Sequence, residues 1–341
     1  MKVKRFLLIL DALIICVLLF VLILFFFSHS NKGSFVPYKT ADETVLVGPQ
    51  YKTISDSLIT TVNKEGPHAA IAQLRNEMQK DPKVLSSCHE LFHIIGRASY
   101  NKYNNFSKAM LYRDDTCVSG YVHGVIEAYS WQNKNNNNLM SLCNDTPRGK
   151  YSRWSCIHGI GHGLMFSSKS NVPYAIQKCT EFKTFSDQDA CYSGVYMQNF
   201  NFDPDDNPSK YVSFTDPFQA CRLSSNHLDE CYVNAPLFYL NYRPGDFTGA
   251  TKWCGNVPLL YQKNCYEGVG SQIAAQLFSS PHKVELLCDH SPNVSACLTG
   301  MMSWYIDYYA ALNPAEKICP TFNSSDQKIC NQVIANTSSM F

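Results

Sequence analysis

The chain has 341 residues, 45% hydrophobic and 17% charged, with 29 basic side chains against 28 acidic ones. An apolar content of that size fills a core, which excludes wholesale disorder. Without Lys2, Lys4, Arg5 and Asp11 the remainder carries 26 basic against 27 acidic residues, which leaves no electrostatic footprint for nucleic acid.

Residues 1–5 form a basic flank, and residues 6–27 an apolar run of 22 interrupted only by Asp11. About 20 apolar residues cross a bilayer as a helix. A secretory signal has a shorter apolar region and a small-residue cleavage site, and VLILFFFSHS offers none. The expectation is an uncleaved transmembrane signal anchor with a cytoplasmic N-terminus and an extracytoplasmic body. The alternative, a cleaved signal, alters the tethering and not the compartment. Residues 28–50 are polar and mixed, and read as a stalk. Residues 51–341 read as one Cys-rich helical domain.

Of 15 cysteines, Cys16 falls within the apolar run. The other fourteen suit a disulfide framework. Twelve form close pairs: Cys143 with Cys156, Cys179 with Cys191, Cys221 with Cys231, Cys254 with Cys265, Cys288 with Cys297, and Cys319 with Cys330, separated by 9 to 13 residues. Their second members recur every 32 to 40 residues, a repeat signature. A glycine stands three residues after a cysteine at Gly120, Gly159, Gly194, Gly268 and Gly300, with Asn234 in its place after Cys231. Each unit therefore reads as a short helix, a cysteine, a turn, a cysteine and a long amphipathic helix, with the disulfide joining the short helix to the first turn of the long one. Closing a loop of about 10 residues stabilises by roughly 2.5–3 kcal/mol in the chain-entropy model. The predicted fold is all-α: a disulfide-stapled α-solenoid of about eight helical hairpins, each 30–40 residues long. The alternative is a compact all-α bundle. Cys88 and Cys117 lack partners in a short helix, and bonding to each other is the simplest reading; a redox or metal role has no C-x-x-C to support it.

Smaller features read as surface. Asp203, Asp205, Asp206 and Asn207 lie in FDPDDNP, a solvated turn with oxygen ligands but no EF-hand spacing. Five N-x-S/T sequons fall at Asn105, Asn144, Asn293, Asn323 and Asn336.

The histidines carry the chemistry. Five of ten fall in the first three long helices: His89 and His93 in CHELFHIIG, His123 in CVSGYVHGVIEAY with Glu127 four residues on, and His158 and His162 in CIHGIGHGLM. Residues four apart share a helix face and can hold one metal. Counted from each cysteine, His158 is at +2, His123 and His162 at +6 and Glu127 at +10, one stripe on equivalent helices. His89 and His93, at +1 and +5, are one residue out of register, which is about 100° of rotation. The same stripe in later units holds no imidazole. A site grafted on three units of a scaffold has this pattern. Imidazoles with a carboxylate suit zinc, iron or copper rather than calcium or magnesium. Gly124, Gly159, Gly161 and Gly163 imply close approach of a backbone, metal or neighbouring helix.

His89-Glu90-Leu91-Phe92-His93 also matches H-E-x-x-H, in which two histidines bind zinc and the glutamate is a general base. Glu90 is thus the candidate catalytic residue of an alternative reading as a zinc metalloprotease. Tyr100 and Tyr121 are candidates for supporting roles. The leading expectation is a membrane-anchored extracytoplasmic metalloprotein, with room for enzymatic activity, whose ligands are His89, His93, His123, Glu127, His158 and His162. The other class is a non-catalytic helical scaffold binding a protein, peptide or glycan through aromatic-rich later units, with Tyr239, Tyr242, Trp304, Tyr305, Tyr308 and Tyr309 as contacts. No P-loop, G-x-G-x-x-G or G-x-S-x-G is present.

Overall fold

Local sequence sets the helix boundaries. Thr184 accepts from the Asp187 amide, Asn293 from Ala296, and Asn323 from Ser325 and Asp326, each capping the helix that follows. The long helices are α1 (Gly48–Glu65), α2 (Pro67–Lys80), α3 (Cys88–Tyr103), α4 (Thr116–Gln132), α5 (Lys150–Ser167), α6 (Phe185–Phe200), α7 (Leu228–Tyr242), α8 (Gln262–Gln276), α9 (Val294–Tyr309) and α10 (Ser324–Thr337). Short α- and 3₁₀-helices connect them, and the described residues hold no strand. The computed structural model describes residues 45–46, 48–133, 137–144, 150–201 and 209–341. The expected anchor at 6–27, most of the stalk and the FDPDDNP turn lie outside them. Among the described residues no helix is long and apolar enough to cross a membrane.

Seven disulfides form: six join the close pairs that the spacing predicts, and the seventh joins the two cysteines left over. Cys88 bonds Cys117, Cys143 bonds Cys156, Cys179 bonds Cys191 and Cys221 bonds Cys231. Cys254 bonds Cys265, Cys288 bonds Cys297 and Cys319 bonds Cys330. The first cysteine of each close pair lies in, ends or follows a short element. The second falls where expected in three cases: Cys231, Cys265 and Cys297 are each the fourth residue of their long helix, in its first turn. In the other three the expected position is corrected. Cys156, Cys191 and Cys330 are each the seventh residue of their helix, in its second turn, because those helices begin further upstream of the cysteine.

From α3 to α10 each long helix packs on the next. Glycine makes this approach possible. A Cβ on Gly194, Gly268 or Gly300 would stand 2.0, 1.9 or 1.7 Å from a carbonyl oxygen of the preceding long helix. Asn234, which replaces glycine after Cys231, turns its amide back to the Glu230 carbonyl of its own helix.

Within α3 to α10 the largest departure from this row is that α4 packs on α9 as well as on α3 and α5. The sequence of α4 accounts for it. Val122 and Ile126 join the core that runs through the later helices, while Tyr121, Val125 and Ala128 join the core of α1 to α3. A helix apolar all round is buried on several sides. Tyr308 of α9 enters the first core, and the Tyr151 hydroxyl donates to the Asp307 carbonyl at 3.0 Å. The aromatic residues considered as partner contacts are partly core: Tyr305 and Tyr308 are buried around Phe278.

Candidate metal centre

α3, α4 and α5 lie side by side where the two cores meet. Each turns its histidines to the same place. His123, His158 and His162 are each 1% exposed, His93 is 2% exposed, and His89 is half-buried. The His123 ring centroid lies 5.5 Å from His89, 5.4 Å from His93 and 5.1 Å from both His158 and His162.

His89 and His93 join the cluster although they count one residue out. Cys117, Val118 and Ser119 have φ of 52°, 57° and 56°, a left-handed turn at the start of α4. The offsets of His123 and Glu127 are counted across this turn, whereas those of His89 and His93 are counted from Cys88, the first residue of α3. The turn also presents the Cys117 carbonyl to His89, whose Nδ1–H donates to it at 2.9 Å.

The glycines in the histidine motifs serve backbone and ring packing. A Cβ on Gly124 would lie 2.1 Å from the His93 carbonyl, and one on Gly161 2.3 Å from that of Cys191. On Gly159 it would meet the His123 ring at 2.9 Å.

Within each i,i+4 pair the Nε2 atoms face each other. His89 Nε2 and His93 Nε2 are 3.1 Å apart, as are His158 Nε2 and His162 Nε2. The outer nitrogens are held from behind. His93 Nδ1–H donates to Glu127 Oε1 at 2.9 Å, and His162 Nδ1–H to Gln198 Oε1 at 2.7 Å. His123 Nε2–H donates to the Ser155 carbonyl at 3.2 Å, leaving its buried Nδ1 without a hydrogen-bond partner. His158 Nδ1 is buried and unpartnered too, and the His158 ring stacks on Trp154 at 5.1 Å.

Burial, reinforced by the neighbouring imidazoles, disfavours protonation. It lowers His89 to about 4, His123 and His158 well below the usual histidine value, and His162 in the same direction. Burial alone would raise the Glu127 carboxyl, but His93 and Arg97 hold it well below the usual carboxylate range. Arg97 Nη1 donates to Glu127 Oε2 at 2.7 Å.

Two ligand groups follow from these positions, His89 with His93 and His123, and His123 with His158 and His162. Glu127 lies behind them, with both carboxylate oxygens engaged and Oε1 4.0 Å from His162 Nδ1. Glu90 accepts from Asn201 Nδ2 at 2.7 Å. The two tyrosines considered for support point elsewhere: the Tyr121 hydroxyl donates to the Ala109 carbonyl, and Tyr100 accepts from Asn133. Arg97, Gln198 and Trp154 complete the surroundings. Arg97 was legible as an i+4 neighbour of His93, while Gln198 and Trp154 carry no motif.

Comparison with known proteins found no matching family model, no similar curated protein and no similar solved structure. The functional reading therefore rests on this geometry.

Proposed function

We propose that the protein is an extracytoplasmic metalloprotein whose five clustered histidines hold a transition metal, with zinc, iron or copper as the class. One observation carries the reading. The His89/His93 pair makes three contacts that each need a hydrogen: to the Cys117 carbonyl, between the two Nε2 atoms, and to Glu127. Two neutral imidazoles bring only two N–H groups. With both outer contacts satisfied, two lone pairs face each other at 3.1 Å. A cation between them resolves the conflict. Nitrogens at that separation subtend about 95–102° at an ion bound at about 2.0–2.1 Å, an angle suited to tetrahedral or octahedral coordination. In this reading Glu127 orients His93 from behind, as carboxylates do in histidine–metal sites, and is not itself a ligand.

Seven disulfides suit an oxidising, extracytoplasmic compartment. Residues 6–27 supply the membrane anchor in this reading, and the recurrent stapled helix pairs are a helical repeat array. The H-E-x-x-H reading gains no support, because the sheet that flanks such a helix in zinc proteases has no counterpart among the described residues. Catalysis by the metal needs an exchangeable coordination position.

The competing occupant is a third proton, which would make His93 an imidazolium paired with Glu127, and the cluster a polar network. Elemental mass spectrometry separates the two. The full chain, made in an oxidising compartment and purified in detergent without chelator or affinity metal, should carry at least one zinc, iron or copper. A His123→Ala/His158→Ala variant that keeps its helical circular dichroism should lose most of it. Metal-free wild type after resupply of all three ions would leave the polar network as the answer.

A further inference from the structure

The five imidazoles are too many, and too widely spread, for one ion. An ion bound at about 2.0–2.1 Å requires every pair of its donor atoms to lie within roughly 4.2 Å. The donors instead fall into two sets, each within 4.8 Å and so within about 0.6 Å of that limit, which share His123 and do not merge into one. Each set contains its own i,i+4 pair with facing Nε2 atoms at 3.1 Å. His123 brings one free nitrogen, since its Nε2–H is committed to the Ser155 carbonyl. It therefore ligates one ion only, through the buried, unpartnered Nδ1.

Ring orientation says which. His123 meets His89 and His93 edge-on, at interplanar angles of 75° and 76°. Against His158 and His162 it lies at 34° and 23°, closer to stacking than to convergence on a common ion.

Resting on the metal reading above, we infer that the site is dinuclear: one ion on His89, His93 and His123, and a second on His158 and His162. Two four-coordinate ions need eight ligands, and the protein supplies five imidazoles. At least three positions are left for exogenous donors. Four of the five imidazoles are at most 2% exposed, which restricts those donors to small ligands such as water or hydroxide. The second ion, with two protein ligands, is the more open and the more weakly held.

The test is a zinc titration of the chelator-stripped full chain, read by elemental mass spectrometry after desalting. Wild type should plateau at two zinc ions per chain. His158→Ala/His162→Ala should plateau at one, and His89→Ala/His93→Ala should lose the tighter step. A wild-type plateau at one overturns the dinuclear inference and leaves the metal reading standing; a plateau at zero in folded protein overturns both. A measurement on unsubstituted protein guards against variants that do not fold. Wild type loaded with Cu(II) should show the half-field resonance of two coupled spins, and an uncoupled signal integrating to one spin per chain overturns the inference.

Discussion

Glu127 is the side chain on which the proposed centre turns. It is 1% exposed, accepts from His93 and from Arg97, and lies behind imidazoles from three helices. Glu127→Gln preserves the shape but removes the charge that fixes the His93 tautomer. Loss of such a supporting carboxylate weakens metal binding by about 10–100-fold. Competition with a chromogenic chelator measures this, and an unchanged affinity would remove Glu127 from the proposed role. The histidines themselves were legible because i,i+4 spacing survives any uncertainty in helix boundaries. Gln198 was not, since a glutamine on a helix surface looks the same whether it meets solvent or His162. The sequons carry a related lesson: Asn105, Asn293 and Asn323 each cap a helix through the side-chain oxygen, which explains those asparagines without a glycan.

The helices are spaced by their glycines, and that is where substitution tells most. Gly124→Ala forces a Cβ to within 2.1 Å of the His93 carbonyl, which is backbone and cannot rotate away. It should destabilise by at least about 2 kcal/mol and displace His93 from His123. Gly255→Ala, with nothing within 4 Å, is the control and should stay within about 0.5 kcal/mol. Urea unfolding at fixed pH with disulfides intact reads both. The glycine recurrence was visible in the sequence, but its cause was not, because metal, ligand and helix approach all ask for the same missing Cβ. The left-handed turn at Cys117–Ser119 was invisible for a simpler reason: cysteine, valine and serine carry no preference for that conformation.

Helix α9 holds a separate titration. Burial raises the half-buried Asp307 carboxyl to about 7. Between pH 4 and 7 the folded chain thus holds a proton that the unfolded chain releases, and stability attributable to this group falls as pH rises through that window. Asp307→Asn stays neutral throughout. Its stability relative to wild type should therefore improve steadily from pH 4 to pH 8, and a difference independent of pH would refute the shift. Glu230 on α7, raised to about 8 by burial and by Asp189, Asp229 and Glu267, is unaffected by this substitution and cancels in the comparison.

For the molecule as a whole, the cysteines announced the all-helical body and six of its seven staples, because each close pair is local in sequence; Cys88 and Cys117, 29 residues apart, were paired only by elimination. The packing of α4 on α9 was not readable, since it depends on side chains far apart in the chain, just as Tyr151 and Asp307 meet across 156 residues. That packing joins the two cores through Tyr308. Tyr308→Ala should cost about 3–5 kcal/mol, the range for removing a buried aromatic. It should also split one cooperative urea transition into two, with near-ultraviolet circular dichroism and the metal-site signal no longer coinciding. A single unchanged transition would show that the cores do not depend on this contact.

The bond between Cys88 and Cys117 has a temporal consequence. It lies next to His89 and carries the carbonyl that orients it. The imidazoles it helps to align are then closed in by neighbouring helices. On the metal reading, an ion reaches the complete ligand set only while these helices are parted. Entry and departure would then both require local opening of stapled structure. The rate of loading a stripped chain would accordingly follow the rate of that opening rather than the affinity of the ion.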